Sequence, residues 1–266
     1  MAPWRGRWAL VTGASAGIGA EIARQLAAEG AHLILTARRA ERLHELAAEL
    51  AQRHQIQTQI CVADLANPQG PGEIFRFVQD RGLNLDILIN NAGFGAYGEF
   101  HKVDAQRLLD MVQVNVASVV QLTHLFLPSM IERRSGYVLV VSSTASFQPV
   151  PYITTYAATK GFDLLFGEGL AEEARPYGVN VCVLCPGSTV SEFHEVAGQP
   201  VHMAGHRQAT AEVAQAGLAA LAEGKPRVIA GTRNWISVEA QRVVPRRLVT
   251  RVAARMFRPR AAQSRP

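Results

Sequence analysis

Trp8-Ala9-Leu10-Val11-Thr12-Gly13-Ala14-Ser15-Ala16-Gly17-Ile18-Gly19 decides the fold of this chain. It opens on an apolar run, passes into a glycine-rich turn and leads into an amphipathic helix. A turn from strand to helix needs residues without a Cβ where the backbone bends sharply or lets a ligand approach. It also leaves the first N–H groups of the helix unpaired, and those groups suit a diphosphate. A tight turn without a ligand has a similar composition. This one opens the first strand–helix unit of the chain, where a doubly wound sheet has its switch point and binds nucleotides. Glycine-rich loops also serve flavins and methyl donors, so the loop alone does not choose a cofactor.

Working outward, apolar runs rich in Val, Ile and Leu recur at residues 8–11, 31–35, 59–62, 85–89, 137–141, 179–184 and 228–230. They are nearly continuous in apolarity, as in strands covered by helices on both faces. Segments of helical spacing lie between them, at 22–28, 42–50, 74–78, 108–130, 155–174 and 211–221. Strict alternation of strand and helix predicts an α/β fold, a doubly wound parallel sheet of seven strands (Rossmann-type) with helices on both faces. No internal repeat or Gly/Ser linker divides it. Residues 1–232 are expected to form one dinucleotide-binding and catalytic domain, followed by a basic amphipathic tail at 233–266.

The composition excludes several classes. With 266 residues and 48% hydrophobic content, the chain is expected to be an ordinary soluble globule. No charged, apolar and small-residue leader opens it, and no uninterrupted apolar run approaches the ~18–20 residues of a membrane span, so a cytoplasmic protein is expected. The net charge of +5 is uneven: residues 242–266 carry eight arginines and no acid, leaving 19 basic against 22 acidic residues elsewhere. The basicity belongs to the tail, which argues against nucleic acid as a partner of the main domain. Cys182 and Cys185 form a CxxC inside an apolar strand, where residues three apart face opposite ways, so neither redox nor metal chemistry is expected of them.

The second strand ends at Thr36-Ala37-Arg38-Arg39. An acid here binds the ribose 2′-hydroxyl of NAD, whereas an arginine accommodates the 2′-phosphate of NADP. The acid is missing, so NADP(H) is expected over NAD(H), with Arg38 and Arg39 as its readers. Asp64-Leu65 closes the third strand, where the carboxylate could accept from an adenine amino group or cap a helix before Asn67-Pro68.

Thr12-Gly13-x3-Gly17-x-Gly19, Asn90-Asn91-Ala92-Gly93 after the fourth strand, Tyr156-x3-Lys160 and Pro186-Gly187 stand in this order at the expected elements. Together they resemble the short-chain dehydrogenase/reductase family over residues 6–231. The resemblance implies an oxidoreductase acting on CH–OH or C=O groups, with a small carbonyl or alcohol substrate and further copies of the chain as its partners. It implies that Gly13, Ser15, Ala16, Gly17, Ile18 and Gly19 cradle the cofactor, that Asn91, Ala92 and Gly93 pass near the adenosine ribose, and that Pro186, Gly187 and Thr189 cover the nicotinamide. It assigns catalysis to Asn115, Ser143, Tyr156 and Lys160, with Asn115 holding a proton-relay water and Lys160 also bonding the nicotinamide ribose.

The chemistry asks for those residue types. An alcohol that loses hydride must also lose its hydroxyl proton, and a tyrosine with a pKa near 10 is a poor base at neutral pH. Lys160 lies one helical turn from Tyr156 on the same face. At ~4 Å and an effective dielectric of about 20, its charge is worth roughly 4 kcal/mol, about three pKa units, which would bring Tyr156 near 7. Ser143 ends the fifth strand and can donate to the substrate oxygen; alternation should turn Ser142 away.

His202 and His206, with His194 nearby, have a spacing that could hold a metal, but no matching third ligand is evident and no metal is expected. They fall in the stretch 188–208, with Phe193, Val196, Val201 and Met203, where the family carries its substrate lid. A partly apolar substrate is expected. In the tail, Leu248, Val249, Val252 and Met256 form one helical stripe and Arg247, Arg251, Arg255 and Arg258 another. Two readings stand: a helix lying in a membrane interface, or one folded over the domain or against another subunit. A cofactor-binding sensor without turnover is the alternative to an enzyme, and the full Asn115, Ser143, Tyr156, Lys160 set argues against it. An epimerase or dehydratase would need more chain after the sixth strand.

Overall fold

The computed structural model describes residues 3–200 and 207–259. Seven parallel strands form one sheet: β1 (Trp8–Thr12), β2 (His32–Ala37), β3 (Thr58–Val62), β4 (Leu85–Asn90), β5 (Gly136–Val141), β6 (Val179–Cys185) and β7 (Arg227–Ile229), in the order β3-β2-β1-β4-β5-β6-β7. The chain runs outward from β1 to β3 and returns to start again at β4. The switch point therefore lies between β1 and β4, where the two following loops diverge and leave a crevice.

The apolar continuity of the strands has a direct cause. Ala9 and Val11 of β1 face a layer that holds α1 (Gly17–Ala28), α2 (Ala40–His54) and α8 (Thr210–Ala222), with Ile22, Leu26, Leu43, Leu50, Val213 and Leu218 buried there. Leu10, between them, faces the opposite layer of α3 (Gly70–Gln79), α5 (Ser118–Glu132) and α6 (Thr154–Ala174), with Ile74, Val78, Leu122 and Phe126. Each such side chain contributes roughly 1.5–3 kcal/mol on burial, so a polar residue on either face would be costly. Cys182 and Cys185 are free and lie in different apolar clusters on opposite sides of β6. Burial pushes both thiols up to about 12.

The helical pattern expected at 108–130 is one continuous helix from Ala105 to Glu132 with an irregularity in it. α4 (Ala105–Val112) passes through a π turn at Gln113–Ala117 before α5 begins. This long helix has the length and hydropathy of a membrane span. Its apolar residues Leu122, Phe126 and Met130 are buried against the sheet layer, which accounts for that composition.

Beyond β7 the chain packs back on the domain. α9 (Thr232–Gln241) buries Val238, and Asn234 Nδ2 donates to Ala230 O and to Gln208 Oε1. α10 (Arg246–Phe257) buries Ala253 and delivers Phe257 to the cluster of Ala96, Met111, Val150, Ile153 and Tyr156. A short α7 (Phe193–Val196) lies in the connection after β6.

Candidate active site

The carboxyl ends of β1, β4, β5 and β6 open onto a cleft of about 530 Å³. Its floor is the loop after β1. Gly13 has φ +66°, and a Cβ there would lie 2.8 Å from Asn91 Nδ2. Only glycine fits both conditions. The Thr12 hydroxyl donates to Ile89 O and accepts from the N–H groups of Asn91 and Ala92, while Asn91 Nδ2 donates to Thr12 O at 2.7 Å. These bonds tie the first loop to the end of β4 across the switch point.

α1 begins at Gly17 with extended Ala16 as its cap, no side-chain cap bond and no acid in the first turn. Its N–H groups and positive dipole end thus face the cleft without a protein anion. Farther along the wall stand Arg38 and Arg39 from the end of β2. The donors, the Cβ-free floor and the two guanidinium groups fit a dinucleotide diphosphate at one end and an additional phosphate at the other.

Of the residues expected from sequence, the cleft collects the loop residues, Arg38, Arg39, Asp64, Leu65, Asn91, Ala92, Gly93, Ser143, Tyr156, Lys160, Pro186, Gly187 and Thr189. Gly19 and Asn115 stand one layer behind. Gly19 packs against Asn91 and Gly13 O. Asn115 is fully buried in the π turn, where its Nδ2 donates to Phe94 O and Thr159 Oγ1 and its Oδ1 accepts from Phe94 N. Asn115 lies within the π turn that interrupts the long helix, a local irregularity often found at functional sites. Asp64 caps no helix, because α3 starts six residues later; its Oδ1 accepts from Ala66 N in a local turn.

The catalytic candidates converge. Ser143 follows β5 on the cleft wall, its Oγ accepting from Ala145 N. Ser142 turns away and donates to Lys160 O. Tyr156 is buried, 4.9 Å from Phe193 between ring centroids. Lys160 Nζ lies 6.0 Å from the Tyr156 ring centroid and donates to Val141 O and to Asp163 Oδ2.

One expectation is corrected here. Lys160 was expected to bring Tyr156 near neutrality, yet burial pushes the Tyr156 phenol above its ordinary value by more than Lys160 and Ser143 draw it down. Desolvation of the buried ring outweighs the nearby ammonium, and the Asp163 carboxylate opposes the charge of Lys160.

The segment after β6 closes the cleft. Gln208 N donates to Ser188 O and Val190 N to Gln208 O, which pins both ends of the segment together. His194 is buried, one ring nitrogen 3.1 Å from Ser188 Oγ and the other 3.1 Å from Gln199 Oε1. Val201, His202, Met203 and His206 lie outside the described residues. Sequence reasoning missed Glu192, which binds Arg39 at 2.7 Å and Arg42 at 2.5 Å and is held below the usual carboxylate range by both. Irregular backbone gave no periodicity from which to place it. Phe257 was missed as well, since nothing in a stretch so remote in sequence announces a contact with the cleft.

The sequence pattern described as short chain dehydrogenase matches residues 7–200. A very-long-chain 3-oxoacyl-CoA reductase of Anas platyrhynchos is 33% identical over 201 residues, which are 74% of this chain and 64% of that protein. The chain thus spans less than two thirds of that relative's length. Among solved structures, a short-chain dehydrogenase from Sphingobium yanoikuyae in complex with NADPH superposes with a TM-score of 0.81 at 27% identity, covering 97% of this chain and 98% of the other. An L-sorbose reductase from Gluconobacter frateurii, complexed with NADPH and L-sorbose, gives 0.75 at 26% identity over 86% of this chain and 97% of that one.

Proposed function

The chain belongs to the short-chain dehydrogenase family, and from that membership we propose that it moves hydride between NADP(H) and a partly apolar carbonyl or alcohol substrate. The convergence of Ser143, Tyr156 and Lys160 beside an uncapped helix end, within one cleft, carries this reading. NADPH, when bound, supplies the hydride. The protein's own groups manage the oxygen. Tyr156 Oη donates its proton to the substrate carbonyl oxygen, Ser143 Oγ donates a second hydrogen bond to the same atom, and the Lys160 ammonium stabilises the phenolate that remains. Asn115 holds the backbone at Phe94 behind them. Phe193 and Phe257 line the cleft and exclude water from the reacting oxygen.

The name of the duck relative supports testing 3-oxoacyl thioesters beside ketosteroids, aldehydes and sugars. Cofactor oxidation by the purified full chain over such a panel tests the reading. Tyr156→Phe should abolish turnover of any accepted substrate while cofactor affinity stays within a few-fold, because the ring remains and the transferable proton does not. A variant that kept a tenth of the wild-type rate would remove Tyr156 from the mechanism.

NADP(H) is favoured over NAD(H) by Arg38 and Arg39 on the cleft wall and by Ala37 in place of an acid. We further propose that α10 attaches a cytoplasmic protein peripherally to an anionic membrane surface. It seats Ala253 on the domain yet leaves Leu248, Val252 and Met256 at 51%, 47% and 66% exposure, one position away from Arg247, Arg251 and Arg255. An apolar row beside a row of cations matches the boundary between acyl chains and anionic headgroups. Contact with another copy of the chain is the competing use of the same row.

A further inference from the structure

An ammonium group has three N–H donors. Two of those on Lys160 are committed inside the protein, to Val141 O at 2.8 Å and to Asp163 Oδ2 at 2.9 Å. The third is left for the cleft, where a Cβ built on Gly93 would come within 3.4 Å of Nζ. Asp163 lies just under one turn beyond Lys160 on α6, and the two side chains are 1% and 6% exposed. Its Oδ1 is buried and has no hydrogen-bond partner among the described residues. Such a pair is a poor device for stability, because removing two charges from water costs more than a partly satisfied bridge returns. A pair of apolar residues at 160 and 163 would serve the fold as well.

We propose that Asp163 is a positioning residue for proton transfer: it pins the Lys160 ammonium against β5 and offsets part of its charge, which adds to the effect of burial in keeping Tyr156 a proton donor. Asp163 touches no reacting atom. It acts through Lys160, which it holds in place and whose charge it partly offsets at the phenol. Without it, more of the Lys160 charge would bear on the phenol and move its midpoint down towards phenolate, the form suited to taking a proton from an alcohol. With it, the phenol keeps the proton that a carbonyl oxygen receives as hydride arrives, and solvent returns that proton to Tyr156 after turnover.

The other titratable groups around the pair do not supply this effect. The Cys185 thiol on β6 is pushed up to about 12 by burial and is neutral at working pH. Tyr97, packed against the same apolar cluster, is also held above its ordinary value by burial, and its hydroxyl donates to Phe257 O. His194 meets Phe193, which stands between it and Tyr156. Arg107 on α4 is directed to the carbonyls of Gly95 and Val196 and over the Phe94 ring. Glu192, Arg39 and Arg42 hold one another at the phosphate-reading end of the cleft. Asp163 is the one carboxylate among the described residues in direct contact with Lys160.

The proposal rests on Tyr156 being the acid of the proposed reaction, and its test is arranged so that the two can fail separately. Tyrosinate absorbance of the full chain, free of cofactor, is titrated against pH, and the Tyr156→Phe trace is subtracted to isolate Tyr156. Removing one negative charge from this pair at an effective dielectric of about 20 should lower the Tyr156 midpoint in Asp163→Asn by about one pH unit or more. Asp163→Glu, which keeps the charge, should restore most of the shift. Asp163→Ser takes the place of the asparagine variant should that fail to fold. With substrate, the alkaline fall of carbonyl reduction and the alkaline rise of alcohol oxidation should both move to lower pH by the same amount. A purely structural Asp163 predicts a lower melting temperature and an unmoved midpoint; that result overturns the proposal, and so does a midpoint that rises because Lys160 has lost its charge. A shifted midpoint in a protein that reduces none of the carbonyl panel sustains the role of Asp163 and sinks the reductase reading instead.

Discussion

Arg39 reaches in two directions, to the Ser15 hydroxyl of the first loop at 3.0 Å and to the Glu192 carboxylate at 2.7 Å. On the proposed NADP(H) reading it would meet the phosphate on the adenosine ribose, and a protein anion already occupies it. Exposed pairs of this kind are worth about 0–1 kcal/mol, so a doubly charged phosphate can displace the carboxylate. Charge-assisted bonds from Arg38 and Arg39 to that phosphate, at roughly 1.5–3 kcal/mol, should favour NADPH over NADH by about ten-fold to over a hundred-fold. The double variant Ala37→Asp with Arg38→Leu should reverse the order in cofactor titrations, and a wild-type preference for NADH would remove both arginines from the assignment. At this scale the sequence is readable where spacing carries the chemistry. Tyr156 and Lys160 share a helix face, and Ser143 ends a strand; Asp163 at i+3 from Lys160 was equally visible but indistinguishable from a surface pair until its burial was known. Glu192 meets Arg39 across 153 positions of chain, with no periodic element to relate them.

Elements that pack on one face only are the ones whose use the fold leaves open. α10 is such an element, since its inner side meets the domain at Ala253 and its outer side presents apolar and cationic rows to solvent. Each arginine near an anionic leaflet contributes on the order of 1 kcal/mol, enough for reversible attachment by three or four. The full chain should co-sediment with vesicles of mixed neutral and anionic phospholipid at low salt and be released as salt rises. Replacing Leu248, Val252 and Met256 by serine should abolish co-sedimentation while cofactor binding persists. If the triple variant instead loses oligomeric mass, and vesicles never carried the wild type down, the row is a contact between subunits. The helix at 105–132 shows the limit of pattern reading at the same scale. Its periodicity locates it, but the π turn at Gln113–Ala117, which holds Asn115 behind the site, leaves no mark in that periodicity.

Across the whole molecule, a doubly wound parallel sheet of seven strands followed from the alternation of strand and helix, whereas the order of the strands within it was seen only in the structure. The return of the last two helices onto the domain did not follow, since a stripe of arginines is compatible with solvent, membrane or protein. A cleft that joins β1, β4, β5 and β6 binds its cofactor against all four, so binding should be felt as global stability. At a hundred-fold excess over its dissociation constant, NADPH should stabilise the chain by about 2.7 kcal/mol, and the melting temperature should rise further with NADPH than with equal NADH. Equal shifts with both would remove the 2′-phosphate from the binding scheme. Phe257 carries a practical corollary. The cleft is floored at residue 13 and walled at residue 257, so proteolytic trimming or a bulky fusion near the latter reaches the substrate pocket without touching the sheet. A clipped enzyme would still melt cooperatively and still retain nucleotide on a dye column, yet turn over substrate poorly; purity judged by folding and cofactor retention would pass a preparation that is already damaged.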